Sequence, residues 1–589
     1  MNSCLISSEK LDVFWKLSSE KKKIIEAYFG EPFSSMVKAL RIYDVTSIIF
    51  DGGNAHSYQD VILADKHTNW TFKGLKSYRS YCVEYGIMIS EYKFFPMLRS
   101  TAVHHPLEIR KPQGELQAEL ESDFQDANHP PIWAERVSTY SYYENVNEAK
   151  KCSALYKGEQ VQIKADRQIT STQSEMIERD NQFPVNIFFK EQVDTLKKRK
   201  GKILLLTWEY PPHIVGGLAR HVHGLAGGLI KQGYEVHVIT ANPAQLLHEE
   251  LVEGICIHRV KPLMEKDHDF LNWIAGLNLA MEQKARELAR IHRFALVHAH
   301  DWLVGACAIS LQASLHVPMI ATIHATEHGR NKGIHTELQK FIHEKESQLM
   351  NESNSIIVCS EYMKCELIQV FDVSEQKIWI IPNGVVGIES TFGEEILAAL
   401  PVQQNKRIIF SIGRIVHEKG FDTLIDAALV LQDYYPDVYF IIAGKGPMLS
   451  EYRNRVLDRG LQDRVYFVGF VTDDQRNALF EKCSLAVFPS RYEPFGIVAL
   501  EAMIMGKPVI VSNTGGLKGI VQHKQTGLLM TPGDVGSFLE QAAIILDHEE
   551  VGQQMGWNGK KEVERLFSWV RIAEDTKRVY EEAISNCKI

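Results

Sequence analysis

Two glutamates, Glu493 and Glu501, lie eight positions apart in the segment PSRYEPFGIVALE, residues 489–501. The apolar run 484–488 predicts a strand and Pro494 predicts the first turn of a helix, so Glu493 is expected at the strand's carboxyl end. A rise of 1.5 Å per helical residue puts the carboxylates roughly 12 Å apart, comparable to the span from sugar to ribose in a nucleotide sugar. Free amides at the helix start would face a phosphate between them. These amides belong to Phe495, Gly496 and Ile497.

A second set of candidate ligand residues lies in the segment GRIVHEKG, residues 413–420. Arg414 offers a planar fork of donors and Lys419 a compact positive charge, and both suit a diphosphate. Taken alone, a charged surface loop explains the two cations equally well. Because the segment follows a predicted strand of the same sheet as Glu493, a shared ligand site is favoured. Asn513 and the glycines after it form another turn at a strand end, suited to a backbone wall around a sugar.

Histidines cluster at predicted strand ends in the segments HAHDW, residues 298–302, and HATEHGR, residues 324–330. In open α/β sheets ligands bind outside the carboxyl ends of the strands, which predicts a polar sugar pocket here. Its candidate residues are His300, His324, Glu327 and His328. Any single histidine also fits a hydrogen-bonded structural role. A zinc site needs three or four converging ligands, and HxH with a distant histidine is a weak signature, so no metal is predicted.

A glycine-bearing loop follows the first strand of the same half, in residues 207–218. Gly216 and Gly217 could bring backbone amides close to an anionic ligand. The loop does not fit GxGxxG, and the second strand ends at 240–243 without an acidic ribose ligand, so a nicotinamide cofactor is disfavoured. The alternative is that the two glycines only allow tight packing of loop and helix.

The elements that must position these residues are short apolar strands, which alternate with helix-length amphipathic segments from Lys202 onward. The first sheet is expected to contain strands at 202–207, 235–240, 255–260, 295–298, 318–324 and 355–359. The second is expected to contain strands at 407–412, 438–443, 465–468, 484–488 and 508–512. We predict an α/β fold with two Rossmann-like domains facing a cleft, at 197–386 and 387–589.

The first part of the chain has a different sequence pattern from these domains. Residues 1–110 contain short β-type runs between turn residues, which predicts an all-β accessory domain. Trp70, Tyr78, Tyr81 and Tyr85 would form either a carbohydrate-stacking face or a small β core. Residues 111–196 are polar with little periodicity, and we interpret them as a linker that is partly disordered.

The composition excludes several classes of function. With 45% hydrophobic and 24% charged residues, the chain is an ordinary globular protein without an apolar stretch near the length of a membrane span. A net charge of −9 disfavours a broad nucleic-acid surface, and the basic run 197–200 is interpreted as a solvated junction. The start lacks a secretory signal and the nine cysteines show no CxxC spacing, so a reduced, cytoplasmic protein is expected.

From about Lys202 to its C-terminus the chain resembles the retaining family 4 glycosyltransferases of the GT-B fold. The HAHDW, HATEHGR and PSRYEPFG segments look especially like those of bacterial and archaeal glycogen or starch synthases. The resemblance implies that the domain at 387–589 binds the donor and that the domain at 197–386 lies on the acceptor side. It implies catalytic roles for four residues, which are His300, Glu493, Arg414 and Lys419.

In this resemblance Arg414 and Lys419 would bind the donor diphosphate, and Glu501 would bind the ribose hydroxyls. Glu493 and His300 would lie beside the transferred sugar. The implied donor-binding set also includes Gly216, Gly217, Phe495, Gly496 and Ile497. The implied reaction moves a hexosyl group, glucosyl by preference, from a nucleoside-diphosphate sugar to an acceptor hydroxyl, which is an α-glucan in a glycogen synthase-like enzyme. No cofactor or metal is implied, because cations and amides would stabilise the leaving diphosphate.

Two departures from the family pattern limit the resemblance, of which the first leaves the donor base open between ADP-glucose and UDP-glucose and the second concerns either the donor-sugar pocket or only the helix after it. Ile214 stands where bacterial ADP-glucose synthases usually carry a lysine, and Lys518-Gly519 replaces the usual acidic pattern after Gly-Gly-Leu. A glycosyltransferase for a surface polysaccharide, glycolipid or small glycoside stays an alternative, as does a non-catalytic glucan-binding scaffold. Partners other than nucleotide sugar and acceptor, such as nucleic acid or a spanned membrane, are not expected. The segments at 43–46 and 50–58 resemble a bacterial domain of unknown function.

Overall fold

The computed structural model of the chain describes residues 1–7, 10–46, 50, 52, 54–64, 67–75, 79–90, 93–104, 200–243, 246–263, 269–387 and 406–587. These residues form an antiparallel β-rich region followed by two α/β sheets, which confirms the predicted fold class. The predicted linker at 111–196 lies entirely outside the described residues. The domain limits stay predictions.

The β-rich region contains one helix between its strands. Its elements in chain order are β1 (Asn2–Ser7), β2 (Lys10–Phe14), α1 (Ser19–Phe29), β3 (Val37–Asp44), β4 (Ser57–Ile62), β5 (Asn69–Lys73), β6 (Ser80–Met88), β7 (Phe94–Arg99) and β8 (Val103–His104). The strands pair antiparallel in the orders β1-β2-β5 and β4-β3-β6-β7, with β8 on β6. The expectation of an all-β domain was wrong at α1. Ser18 caps that helix by accepting from the Lys21 amide, and Ile24, Ile25 and Tyr28 share its buried face.

The aromatic residues predicted for this region divide between core and surface. Tyr81 and Tyr85 are 8% and 6% exposed, and the Tyr85 ring stacks on Trp15 with centroids 5.3 Å apart. Because side chains alternate along a strand, both tyrosines of β6 point to the face that packs on the core. The core alternative is therefore correct for these two residues. Trp70 is half-buried against the same core, and Tyr78 lies outside the described residues.

The first α/β sheet is parallel except at one edge. Its elements are β9 (Gly201–Leu206), α2 (Gly217–Lys231), β10 (Tyr234–Ala241), β11 (Glu249–Val252), β12 (Ile255–Val260), α3 (Phe270–Ala289), β13 (Phe294–His300), α4 (Gly305–Leu315), β14 (Met319–Ile323), α5 (Glu327–Asn331), α6 (Glu337–Glu352), β15 (Ser355–Val358), α7 (Glu361–Phe371) and β16 (Ile378–Ile380). The strand order is β11-β12-β10-β9-β13-β14-β15-β16, with β11 antiparallel to β12. Continuous apolar runs form these strands because helices cover both faces of a parallel sheet.

The second sheet repeats the pattern with parallel strands throughout. Its elements are β17 (Arg407–Ile412), α8 (Phe421–Tyr434), β18 (Val438–Ala443), α9 (Leu449–Asp458), β19 (Val465–Gly469), α10 (Asp473–Lys482), β20 (Leu485–Phe488), α11 (Ile497–Ile504), β21 (Val509–Ser512), α12 (Leu517–Ile520), β22 (Leu528–Met530), α13 (Val535–Asp547), α14 (Glu549–Leu566) and α15 (Trp569–Asn586). The strand order is β19-β18-β17-β20-β21-β22. Because the order reverses beside β17, the loops after β17 and β20 open onto one crevice.

The last helix, α15, returns from the second sheet to pack on α2 of the first. A Cβ atom on Gly228 would lie 2.6 Å from the Trp569 carbonyl oxygen and 2.7 Å from the Ala573 Cβ, so only glycine allows this close approach. The Tyr580 hydroxyl lies 2.7 Å from Nδ1 of His298 and shares a hydrogen bond with it. This helix therefore ties the two sheets together. Among the helices described, none is long and apolar enough to span a membrane.

The β-rich region packs against the first sheet through α1, which contacts α3 and α4. Asn278 Nδ2 donates to the Tyr28 hydroxyl at 2.9 Å in a buried contact. At the rim, Arg286 Nη2 lies 2.9 Å from the Glu20 carboxylate. Because apolar residues of both parts form one core, the two parts are joined by burial as well as by the chain.

Candidate active site between the two sheets

Glu493 lies in the loop that joins β20 to α11. The backbone of Gly496 has a φ of 108°, so helical geometry begins only at Ile497. The prediction that Pro494 opens the helix was therefore wrong, because the left-handed residue separates it from α11. Glu493 is 8% exposed, and its carboxylate accepts two hydrogen bonds at Oε2. Lys419 Nζ donates at 2.5 Å and Ser490 Oγ donates at 3.1 Å.

The glycine turn after β21 supports the back of this loop. A Cβ atom on Gly515 would collide with the Glu493 carbonyl oxygen, and the Gly516 amide donates to that oxygen at 2.8 Å. The glycines thus pack against the backbone that carries Glu493. Asn513 is exposed at the end of β21, and its amide donates to the Met530 carbonyl at 2.8 Å. A role for Asn513 beside the sugar stays a prediction.

A short 3-10 turn, His417–Lys419, aims Lys419 at the carboxylate. Gly420 follows with a φ of 69°, and a Cβ atom there would collide with the Pro489 carbonyl oxygen. Arg491 grips Asp422 through two parallel hydrogen bonds of 2.7 and 2.8 Å, which joins the two loops. Arg414 is half-buried at the same edge, with Nη2 3.7 Å from Glu418 Oε1. The structure therefore brings Lys419 to the Glu493 loop and places Arg414 beside Glu418 of the same turn.

Glu501 lies inside α11 and is 5% exposed. Its Oε1 is 3.2 Å from Nη1 of Arg476 on α10 and 4.0 Å from Nη1 of Arg220 on α2. Arg220 also donates from Nη1 to Asp473 at 3.0 Å, which links the first sheet to the second. Sequence reasoning missed both arginines, because each stands in a helix whose pattern carries no sign of a ligand site.

The start of α11 combines uncapped backbone amides with apolar side chains. Gly496 offers no side chain to cap the helix, so its first amides have no side-chain partner. The side chain of Phe495 is buried, with its ring 6.1 Å from that of Phe567. Ile497 reaches toward the first sheet, since a Cβ atom on Gly217 would lie 3.1 Å from its Cδ1. The two glycine-bearing loops therefore meet at α11.

Glu209 shapes the loop that carries Gly216 and Gly217. Its carboxylate is 2% exposed and accepts from the amides of Val215 at 2.5 Å and Gly216 at 3.0 Å. The Gly216 amide is thus occupied, and Gly217 opens α2. Burial raises the pKa of Glu209 to about 7, opposed by these amides and by the positive charge of Arg414. The predictions did not include Glu209, although a lone acid beside the glycines was visible in the sequence.

The strand-end histidines have different surroundings. His298 is fully buried, and its Nε2 lies 2.7 Å from Thr322 Oγ1 while Nδ1 faces Tyr580, so its role is structural. His300 Nδ1 lies 3.2 Å from His324 Nε2. His221 of α2 joins them with its ring centroid 4.6 Å from that of His324. Desolvation by burial lowers the pKa of His221 and His300 well below the usual value and that of His324 to about 3.

Tyr492, the neighbour of Glu493, inserts into the first sheet's side of the cleft. Its ring lies against Gly329, where a Cβ atom would come within 2.5 Å of Cε2 and 2.6 Å of Cζ. The Thr326 amide donates to the Tyr492 hydroxyl at 3.5 Å, and Ser360 Oγ donates to the Pro494 carbonyl at 2.7 Å. The Glu493 loop is therefore held from both sides of the cleft.

Two other predicted pocket residues lie beside this contact. Glu327 is 2% exposed, its amide donates to Glu346 Oε1 at 2.8 Å, and Asn331 Nδ2 donates to its carboxylate at 2.9 Å. Burial raises the pKa of Glu327, and its role in a sugar pocket stays a prediction. His328 is half-buried and its Nδ1 is buried without a hydrogen-bond partner.

The arrangement offers a defined chemistry. Cations and uncapped amides gather where two loops and a helix start meet, and such groups stabilise negative charge on a diphosphate. A carboxylate beside Lys419 and neutral imidazoles across the cleft can accept hydrogen bonds from sugar hydroxyls. The site therefore suits an anionic ligand with a polar, uncharged end.

Family comparisons cover nearly all of the described chain. Residues 215–386 match the family described as Glycosyltransferase Family 4, and residues 393–562 match Glycosyl transferases group 1. Residues 4–113 match a Domain of unknown function, DUF4912. The last match agrees with the resemblance found in the N-terminal segments.

Individual proteins are similar over the two sheets. An uncharacterized glycosyltransferase of Methanocaldococcus jannaschii is 35% identical over 389 residues, which are 65% of this chain and 98% of that protein. A glycogen synthase of Mycobacterium tuberculosis is 33% identical over 401 residues, or 64% of this chain and 94% of that protein. Sucrose-phosphate synthase from Thermosynechococcus elongatus shares the fold with a TM-score of 0.58 and 24% identity, over 66% of this chain and 100% of that structure.

Proposed function

The chain belongs to the glycosyltransferases, and from that premise we propose a specific reaction for it. The reaction transfers a hexosyl group, glucosyl by preference, from a nucleoside-diphosphate sugar to an acceptor hydroxyl with retention at the anomeric carbon. The observation that carries the proposal is the pair of Lys419 and Glu493, whose Nζ and Oε2 atoms are 2.5 Å apart at the start of α11. The pair joins a group suited to phosphate with one suited to sugar hydroxyls.

The diphosphate end of the donor is proposed to bind Lys419, Arg414 and the first amides of α11. As the bond from the anomeric carbon to the diphosphate oxygen breaks, negative charge grows on that oxygen. Fixed positive groups in a site shielded from water stabilise this charge without reorganisation. The proposal therefore requires no metal or other cofactor.

The sugar end is proposed to lie between Glu493 and His300. The acceptor oxygen bonds to the anomeric carbon on the face that the diphosphate leaves, and the acceptor proton passes to the departing phosphate oxygen. Glu493 positions the sugar and stabilises positive charge at the anomeric carbon, without forming a covalent bond to it. The packing of the Tyr492 ring against Gly329 would hold the Glu493 loop rigid during this step.

The acceptor is proposed to be an α-glucan. This rests on the similarity to the glycogen synthase of Mycobacterium tuberculosis, which extends over 94% of that protein. The donor base is left to experiment, because Ile214 departs from the lysine expected of ADP-glucose enzymes.

The test is a panel of ADP-, UDP- and GDP-glucose with glycogen and short maltooligosaccharides as acceptors. We expect release of one nucleoside diphosphate to depend on acceptor, with an α-configured product by NMR. Lys419→Met should lose this activity, while Lys482→Met, at an exposed site on α10, should keep it. Absence of both transfer and donor hydrolysis across the panel would refute the proposal, and transfer only to non-glucan acceptors would refute its acceptor.

A further inference from the structure

Three imidazoles converge beside the proposed sugar position, each from a different element. His221 belongs to α2, His300 ends β13, and His324 follows β14. One ring nitrogen of each lies within 4.8 Å of the others, and the three ring centroids are 4.6 to 5.5 Å apart. His221 was not among the sequence candidates, so the sequence showed only two of the three ligands.

His221 presents a ring nitrogen in the form that a metal ion binds. His221 Nδ1 lies 2.6 Å from Asn383 Oδ1, which can only accept, so the proton is on Nδ1 and Nε2 carries the lone pair. That Nε2 is buried without a hydrogen-bond partner. Unpaired buried nitrogens cost free energy unless a ligand satisfies them.

The spacing also fits a tetrahedral ion. Bonds of about 2.0–2.1 Å from zinc to histidine nitrogen separate two ligand nitrogens by roughly 3.3 Å. The observed distance from His300 Nδ1 to His324 Nε2 is 3.2 Å. The His221 nitrogen, which lies within 4.8 Å of the other two, would have to move to the same spacing for the ion to bind all three.

The charges around the three rings permit a cation. The guanidinium of Arg330 acts on His324 and opposes a positive ion, but the buried carboxylate of Asp301 accepts from the His324 amide at 2.8 Å. Its negative charge offsets the arginine.

A second group of potential ligands provides a contrast. Among the described residues, Glu235, His237 and His292 also converge. There the ammonium of Lys202 lies 2.9 Å from the Glu235 carboxylate and 2.8 Å from His292 Nδ1. The Lys202 ammonium already occupies that group, so we propose no metal ion there.

We propose that His221, His300 and His324 bind one zinc-like divalent ion, with an open fourth position toward the cleft. The site goes beyond the proposed transfer reaction, which requires no metal. Its occupation takes His300 away from the sugar, so the ion inhibits transfer, and this consequence alone rests on the proposed function.

The binding test uses the full chain, stripped with chelator and then titrated with Zn²⁺ or Co²⁺ without any donor. We expect one ion per chain and the visible absorption of tetrahedral Co²⁺. His221→Gln and His324→Gln should each weaken binding at least tenfold, while His335→Gln, at an exposed site, should leave it unchanged. Thermal unfolding identifies a variant that fails to fold. If one of the two fails, the binding measured with the other variant tests the site.

Two results would overturn the proposal. One is an absence of stoichiometric binding at micromolar Zn²⁺, and the other is equal Co²⁺ absorption in wild type and both variants. The inhibition is measured separately by transfer with and without Zn²⁺ once a donor is known. Binding without inhibition would overturn the consequence for transfer and leave the site standing, so failure of the site and failure of the proposed function are distinguishable.

Discussion

Replacing Gly329 by alanine is expected to reduce catalysis more than stability. Gly329 lies in α5, and its added methyl group would come within 2.5 Å of Tyr492 Cε2 and 2.6 Å of Cζ. The Tyr492 ring is 6% exposed and its hydroxyl contacts Thr326 and Glu366, so it has little room to rotate away. The loop that carries it must move instead, and Glu493 is the next residue along that loop.

The magnitude follows from two opposing effects. Overpacking of a filled site costs about 1–3 kcal/mol. The change from glycine to alanine within a helix returns about 0.5–1 kcal/mol. The free energy of unfolding should therefore fall by about 1–2 kcal/mol, which lowers the Tm by on the order of 5 °C. A displacement of Glu493 by about 1 Å is expected to lower kcat/KM as much as about 100-fold.

The assay measures kcat/KM with the donor identified by the panel, next to Tm by calorimetry. Gly227→Ala is the matched control, because Gly227 lies in α2 and a Cβ atom there meets nothing within 4 Å. The control should keep its activity and gain slight stability. If Gly329→Ala matches the control in kcat/KM, then the Tyr492 contact does not position Glu493 and the reasoning is refuted.

Three further predictions concern other parts of the molecule. Lys419→Met removes the partner 2.5 Å from Glu493 and should lower kcat/KM by about 10²–10³-fold at nearly unchanged Tm; an equal loss of Tm and activity would contradict this. Burial raises the pKa of Glu209 to about 7 from 4.5, so folding favours the protonated carboxyl. Its contribution to the free energy of unfolding is fully present below pH 4.5 and is lost as the pH rises through 7. Wild-type Tm should therefore fall from pH 5 to 8 relative to Glu209→Gln, and parallel curves would exclude this titration. Trp569→Ala should cost about 3–5 kcal/mol in chemical unfolding, against about 1 kcal/mol or less for Trp557→Ala, whose ring is 52% exposed.

Much of the fold was predictable because parallel strands leave a strong signal. The strands at 255–260, 407–412 and 438–443 have the predicted bounds, since each is a continuous apolar run ended by turn residues. The strands β11, β16 and β22 were missed, because β16 and β22 have only three residues and β11 begins with two glutamates instead of an apolar run. The helix α1 was missed because its apolar residues are few and its first turn is highly charged.

Part of the candidate site was also predictable. Arg414, Lys419 and Glu493 follow strands that lie side by side, and the sheet order brings them to one edge as expected. The roles assigned to these residues stay predictions. Sequence reasoning could not find Arg220, Arg476 or His221, because helices far apart in the chain bring them to the site.

The sequence by itself determined which segments become strands and which residues stand at the strand ends. These are local properties, decided by apolar runs, glycine and the direction of the chain. Only the tertiary structure decided which of those residues face one another. The contact of Tyr492 with Gly329, the return of Trp569 onto α2, and the meeting of three histidines all join distant segments. Such contacts depend on how two layers pack, and packing is a property of the assembled core.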